Sequence, residues 1–184
     1  EHGFVQRLAW VAPTGETLIT EERSLGVSLT REDGYQVFLD STYAAETDLT
    51  LGTTKESALP IIRMADAFNG KSGGVIVSSE GGRGEGETFG EPARWIDYHA
   101  PVPVGYGGPG VEGLACLDHP GNADHPNRWF TRAYGPLSPR EGNLFAGEQH
   151  VARGETFRFR HSVVVHSGDE GEARIEAAWQ EYPK

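Results

Sequence analysis

The chain has 184 residues, and its 16 Lys and Arg against 27 Asp and Glu leave a formal net charge of −11 with histidine neutral. An acidic chain has no cationic excess for phosphate groups, which argues against nucleic acid and anionic membranes as partners. No apolar run approaches the ~20 residues of a membrane-spanning helix. The single cysteine excludes an intrachain disulfide. Length and composition predict one globular domain over residues 1–184.

Alternation of apolar and polar residues is the main local pattern, and it predicts extended strands with one buried side. The longest alternating segment, residues 156–166, is expected to form a central strand. Eight further segments are predicted as strands, separated by turns that contain Gly, Pro or Asp. They are residues 5–11, 17–24, 35–43, 47–51, 59–64, 75–79, 93–98 and 112–117.

The C-terminal segment has helical character instead. Asp169 is interpreted as the N-cap of a helix over residues 170–182, because Glu170 and Glu172 would favour its first turn and Pro183 would end it. About ten strands followed by one helix, with no strand–helix alternation, predict a mainly β antiparallel sandwich.

A glycine-rich segment spans residues 78–87. It contains three glutamates and lacks a following Gly-Lys-Ser/Thr, so it does not match a phosphate-binding loop. We interpret it as a mobile surface loop, with a lid over a site as the alternative.

The segment 117–135 is the main candidate site. His119 and His125 each precede a proline, which restricts the backbone of the residue before it to extended geometry. Amide, carboxylate, guanidinium and aromatic groups in one loop suit recognition of a sugar. In the alternative interpretation, Asp118 and Asn122 only bond to turn backbone and Trp129 anchors the core. The predicted substrate-binding residues are Trp95, Asn122, Trp129, Arg132 and Tyr134.

Two further histidines, His161 and His166, lie five residues apart and point to opposite faces of a regular strand. His161 shares its side with apolar residues and is interpreted as a buried core histidine. His166 ends the strand beside a turn, where side chains reach the mouth of a site. The predicted acid–base residues are His119, His125, His166, Asp97 and Asp118, although no spacing shows which of them meet.

Other chemistries have little support in the sequence. The six-residue separation of His119 and His125 matches no zinc-finger, His-Glu-x-x-His or EF-hand pattern, so no metal ligand is assigned and the cofactor is left unknown. No Gly-x-Ser-x-Gly motif is present, and Cys116 lies in an apolar run that predicts a buried, inert thiol.

Two segments carry a family resemblance. They are Asp118-His119-Pro120-Gly121-Asn122 with the following Trp129 and Arg132-Ala133-Tyr134-Gly135, and Val165-His166-Ser167-Gly168-Asp169. With them, nearly the whole chain resembles the bacterial PmoA-like family of unknown function. The name refers to methane oxygenase, but a membrane copper enzyme does not fit an acidic chain without a spanning segment.

The resemblance implies a β-sandwich similar to the galactose-mutarotase-like supersandwich, in bacterial carbohydrate metabolism. It also implies an upstream histidine-rich segment that this chain lacks. We therefore expect a protein that acts on a sugar or glycoside by acid–base chemistry, as a lyase, epimerase or hydrolase. The alternative is a non-catalytic sugar-binding module. The expected partner is a small-molecule or oligosaccharide ligand. Exposed strand edges also allow a homodimer. The expected location is cytoplasmic, or secreted if a leader was removed.

Overall fold

The fold consists mainly of antiparallel strands in a computed structural model that describes residues 2–29, 34–52, 61–102, 110–139 and 147–182. Short helical segments occur between them and near the C-terminus. The strands are β1 (His2–Val11), β2 (Thr17–Ser28), β3 (Gly34–Ala45), β4 (Leu49–Leu51), β5 (Ile62–Arg63), β6 (Val75–Ser78), β7 (Trp95–Val102), β8 (Gly110–Asp118), β9 (Trp129–Thr131), β10 (Pro136–Pro139), β11 (Gln149–Val151) and β12 (Thr156–Ser167). The helices are α1 (Glu85–Thr88) and α2 (Ile175–Gln180), with 3-10 turns at Asp66–Phe68 and Gly70–Ser72.

A seven-stranded antiparallel sheet organises these elements in the order β1-β2-β3-β12-β8-β7-β6. The predicted central strand is confirmed, since β12 occupies the fourth position and pairs with both β3 and β8. A three-stranded sheet, β5-β10-β9, and a two-stranded sheet, β11-β4, complete the antiparallel pairing. The mainly β, sandwich-like fold with a C-terminal helix is as the sequence predicts.

Both faces of the large sheet are covered, because its central strands alternate between two apolar clusters. On one face, Ile96 and Tyr98 pack with Trp129 and Leu137 of the three-stranded sheet. On the other face, Trp95 packs with Ile175 and Ala178 of the C-terminal segment. In the middle of β7, β8 and β12 most side chains are therefore buried on either face, and polar side chains there need internal partners.

The C-terminal helix is shorter than predicted. It covers Ile175–Gln180, and Arg174 before it has a left-handed backbone with φ 54°. Asp169 is not its N-cap, because its Oδ1 accepts hydrogen bonds from the backbone N–H groups of Gly171 and Glu172 in a separate turn. The prediction was wrong at this end because an aspartate caps such a turn as readily as a helix.

Three strands were missed by the sequence prediction. All residues of β9 and β10 are buried, so they show no polar–apolar alternation, and β11 is only three residues long. Of the predicted strand 59–64, residues 59 and 60 lie outside the described residues, and only Ile62 and Arg63 are extended.

The outermost strand, β1, exposes large apolar side chains, including Phe4, Val5 and Val11. A homodimer through this edge stays a prediction. Within the described ranges, none of the helices has the length and apolar character that crossing a membrane requires.

Candidate functional site

The Asp118 cluster lies where β8 ends, and a buried carboxylate is its centre. Oδ1 of Asp118 accepts hydrogen bonds from Nδ2 of Asn122 and Nδ2 of Asn127, each at 2.8 Å. Oδ2 accepts from the backbone N–H of Asn127 at 2.9 Å and lies 2.7 Å from Nδ1 of His125. Nε2 of His161 is 3.7 Å from Oδ1. This one side chain thus holds together the loop that follows it.

His125 is oriented by two contacts. Because a carboxylate only accepts hydrogen bonds, Nδ1 of His125 carries the proton in the bond to Asp118, and Nε2 is left for other partners. The ring stacks on Trp179 of α2, with centroids 5.8 Å apart and planes 8° from parallel. Nε1 of Trp179 in turn donates to the backbone carbonyl of Asp118 at 2.8 Å. The imidazole side chain is 17% exposed, so solvent reaches it.

His119 contacts Gly121 and Arg160. Its Nδ1 accepts from the backbone N–H of Gly121 at 2.8 Å, and its Nε2 lies 3.2 Å from Nη1 of Arg160. Asn122 fixes the main chain of Arg160, because its Oδ1 accepts from the Arg160 N–H and its Nδ2 donates to the Arg160 carbonyl. The loop therefore positions one guanidinium on β12.

That guanidinium lines a groove of about 600 Å³ beside the C-terminal end of the chain's described part. Its polar wall contains His119, Arg158 and Arg160, and its apolar wall includes Phe38 and Tyr182. Arg158 is paired with Asp40 across the groove wall. Among the residues the structure describes, no carboxylate lies within ion-pair distance of Arg160.

The Asp97 cluster lies on the face of the large sheet that the C-terminal segment covers, and Asp97 and His166 are buried there. Oδ2 of Asp97 lies 2.7 Å from Nδ1 of His99, and Oδ1 lies 2.7 Å from Nε2 of His166. Oε2 of Glu170, in the turn after β12, lies 3.6 Å from Nδ1 of His99. The hydrogen bond to Asp97 raises the pKa of His99 above its usual range, and Glu170 and Asp169 add to the effect.

Two neighbouring segments contact this cluster. Gly113 of β8 faces His166, and a Cβ built there would lie 2.3 Å from Cε1 of the imidazole. The glycine-rich segment also reaches the cluster, because Arg83 pairs with Oε1 of Glu170 at 2.8 Å. The alternative interpretation of residues 78–87 as a lid over a site stays a prediction.

The two tryptophans among the predicted substrate-binding residues, Trp95 and Trp129, are buried. Trp129 is fully enclosed in the first apolar cluster, and its Nε1 donates to the Ala93 carbonyl. Trp95 is buried in the second cluster, and its Nε1 donates to Glu176. Neither presents an accessible ring face, so stacking on a sugar would require both to leave their packing. The interpretation of Trp129 as a core anchor agrees with its position.

Arg132 and Tyr134 lie apart from both clusters. The Arg132 guanidinium sits 4.1 Å above the Phe89 ring and pairs with Glu85 at 2.6 Å. The backbone N–H of Ala133 and this guanidinium lower the pKa of Glu85. Tyr134 is 51% exposed and carries Arg63 over its ring.

The structure therefore divides the predicted acid–base residues into two groups. Asp118 meets His125, and Asp97 meets His166, but five residues of β12, ~17 Å of strand, separate His161 near Asp118 from His166 near Asp97. His161 is buried, and Cys116 is fully buried, as the sequence predicts.

Comparison with known proteins assigns the chain to a family. Searches of curated proteins and of solved structures found no significant match. A family of unknown function, DUF6807, matches residues 1–180. The match covers nearly the whole chain, which is therefore a member of DUF6807.

Proposed function

We propose that the protein binds an acidic carbohydrate, a sugar that carries a carboxylate, in the groove formed by His119, Arg160 and the neighbouring strands. The observation that carries this proposal is Arg160, a half-buried guanidinium on the groove wall without a carboxylate partner among the described residues. An arginine fork is suited to a carboxylate, because two parallel N–H groups can donate to its two oxygens.

The guanidinium is positioned before any ligand arrives. Asn122 binds the Arg160 backbone on both its N–H and its carbonyl, and Gly121 leaves room for the guanidinium, since a Cβ there would lie 2.2 Å from Nη2. A positioned side chain loses less conformational entropy on binding. This favours Arg160 as the specific contact over the exposed Arg158, which already pairs with Asp40.

The rest of the groove suits a polyhydroxylated ring. Its volume of about 600 Å³ falls in the range of small-molecule sites, and His119, Ser24 and Asp40 offer polar groups beside the Phe38 and Tyr182 rings. Sugar recognition combines such polar groups with apolar surface. The resemblance to the PmoA-like family implies a role in carbohydrate metabolism. It stays a prediction and points the same way, and the proposed function does not include methane oxygenase activity.

Arg160→Gln should weaken binding of D-glucuronate roughly 10- to 100-fold, because a hydrogen bond to a charged group contributes ~1.5–3 kcal/mol and 1.4 kcal/mol is a factor of ten. Isothermal titration calorimetry with D-glucuronate, D-galacturonate and D-gluconate measures the affinity, with D-glucose as the neutral match for D-glucuronate. The matched control is Arg153→Gln, which removes the same charge from an exposed turn. Equal affinity for glucuronate and glucose, or unchanged affinity in Arg160→Gln, would contradict the proposal.

A catalytic function is the second candidate, and the Asp118–His125 pair favours it. A carboxylate that holds Nδ1–H of an imidazole fixes the tautomer and leaves Nε2 to accept a proton from a substrate. His125 is the only one of the five predicted acid–base residues that combines this arrangement with clear solvent exposure.

His125→Gln separates the two functions. If the protein is an enzyme, this variant should lose roughly 10²-fold or more in kcat on any sugar acid that the wild type turns over, while the affinity for that sugar acid changes little. His119→Gln should instead raise Kd, because His119 lies on the groove wall. Turnover that His125→Gln leaves intact would remove this pair from the chemistry.

A further inference from the structure

A second site is built around Asp97, near the other end of the β8–β12 pairing from Asp118 and independent of the groove. We propose that Asp97, His99 and Glu170 bind a divalent first-row transition metal ion such as Zn²⁺ or Mn²⁺, with His166 as the residue that orients Asp97. One ligand atom from each of the three side chains lies within 4.8 Å of the other two.

The ligand types select the class of ion. Two carboxylates and one imidazole form a mixed oxygen and nitrogen set, which Zn²⁺ and Mn²⁺ accept. Mg²⁺ and Ca²⁺ prefer oxygen ligands throughout. Three protein ligands leave at least one coordination position for water or a ligand oxygen.

The distances need only a small adjustment. Metal–ligand bonds of 2.0–2.2 Å place neighbouring tetrahedral ligand atoms ~3.4 Å apart. Nδ1 of His99 and Oε2 of Glu170 are 3.6 Å apart, and Nδ1 of His99 and Oδ2 of Asp97 are 2.7 Å apart. Asp97 and His99 would separate by under an ångström as the metal replaces the proton on Nδ1.

Burial is the second observation that supports the site. Asp97 is fully buried and Glu170 keeps only 20% of its side chain exposed. Desolvated carboxylates require compensating positive charge. Arg83 provides it for Oε1 of Glu170 but leaves Oε2 directed at His99, and a metal ion between Asp97, His99 and Glu170 would supply the rest.

His166 completes the arrangement. Its Nε2 bonds to Oδ1 of Asp97, the oxygen that does not face His99, and this is how outer residues orient a metal-binding carboxylate. The side chain is held in a space that only a glycine at position 113 leaves open. Nδ1 of His166 is buried, and none of the residues that the structure describes bonds to it, so among them the ring is held by its bond to Asp97 and by packing.

Metal binding by the purified protein tests this directly. Protein stripped of metal by a chelator is dialysed separately against Zn²⁺ and Mn²⁺, and the bound metal is counted by mass spectrometry. We expect one equivalent of at least one of the two ions per chain at micromolar free metal. Glu170→Gln should weaken binding of that ion at least 10-fold, and its partly exposed turn position means that the variant is expected to fold.

Further variants locate the site and separate roles. His166→Gln should weaken metal binding 10- to 100-fold, as loss of an outer hydrogen bond does, while His125→Gln and the exposed Glu181→Gln leave it unchanged. A Co²⁺-loaded protein should show a visible absorption band that Glu170→Gln alters. Absence of a bound equivalent in the wild type, or unchanged affinity in both Glu170→Gln and Asp97→Asn, would overturn the proposal, whatever the groove binds.

Discussion

Asp118→Asn should lower the free energy of unfolding by about 3 kcal/mol, although the two side chains have nearly the same volume. The carboxylate accepts two hydrogen bonds on each oxygen. An amide has one accepting oxygen, so its NH₂ group would face either the two Asn side chains or the His125 ring and the Asn127 N–H. Two buried donors in the first orientation, and at least the Asn127 N–H in the second, would then meet a donor, and each unsatisfied group costs ~1–3 kcal/mol.

Urea unfolding followed by fluorescence measures this loss, and the melting temperature should fall by roughly 6–12 °C for a chain of this size. Asp66→Asn is the control, because Asp66 is exposed and should stay within about 0.5 kcal/mol of wild type. Hydrogen exchange should rise in residues 119–127 before the rest of the sheet. A loss below about 1 kcal/mol would mean that other contacts hold this loop.

The sequence predicts the large sheet well where one side of a strand is more polar than the other. Residues 156–166 alternate, and β12 is the central strand with His161 and His166 on opposite faces. Alternation does not predict β9 and β10, because all their residues are buried and a strand enclosed on both sides has no polar side.

The Asp97 cluster was predicted only in part, for two local reasons. The strand was predicted to end at residue 98, so His99 was left out, although Asp97 and His99 are two residues apart and share a face of any extended strand. β7 in fact continues to Val102. Glu170 was placed in the first turn of a helix, where a carboxylate is usually solvated, whereas it lies in a turn against His99.

Other contacts depend on the fold, and local sequence patterns do not predict them. Asp97 meets His166 because β8, with Gly113 between them, separates β7 from β12 in the sheet. Arg160 meets His119 because β12 ends its pairing with β8 where the loop begins. These contacts join residues that are 41 and 69 positions apart in the sequence, and a local periodicity cannot predict such contacts.

The division of the histidines changes what a single substitution can report. Asp118 and His125 act in the loop next to the groove, whereas Asp97, His99 and His166 lie with Glu170 near the other end of the β8–β12 pairing. A variant of one cluster should leave the other intact, because sites more than ~10 Å apart without shared partners behave independently. Loss of sugar binding and loss of metal binding should therefore separate cleanly.

Gly113→Ala should destabilise the protein by about 3 kcal/mol and disturb the Asp97 cluster. The new Cβ would lie 2.3 Å from Cε1 and 2.6 Å from Nε2 of His166, and 3.0 Å from Cβ of His99. Both imidazoles are buried, so the His166 ring must turn away and lose its bond to Asp97. Overpacking costs 1–3 kcal/mol, and the unsatisfied carboxylate oxygen adds to it.

Urea unfolding of four variants shows whether the clash with His166 is the cause. Gly110→Ala is the matched control, because Gly110 lies on the same strand with nothing within 4 Å of a built Cβ. His166→Ala removes the ring that Gly113→Ala would strike, so the double variant should be more stable than the sum of the two single losses predicts, by roughly 1–3 kcal/mol. Additive losses would show that the strain of Gly113→Ala falls elsewhere, and that the glycine does not hold space for the imidazole.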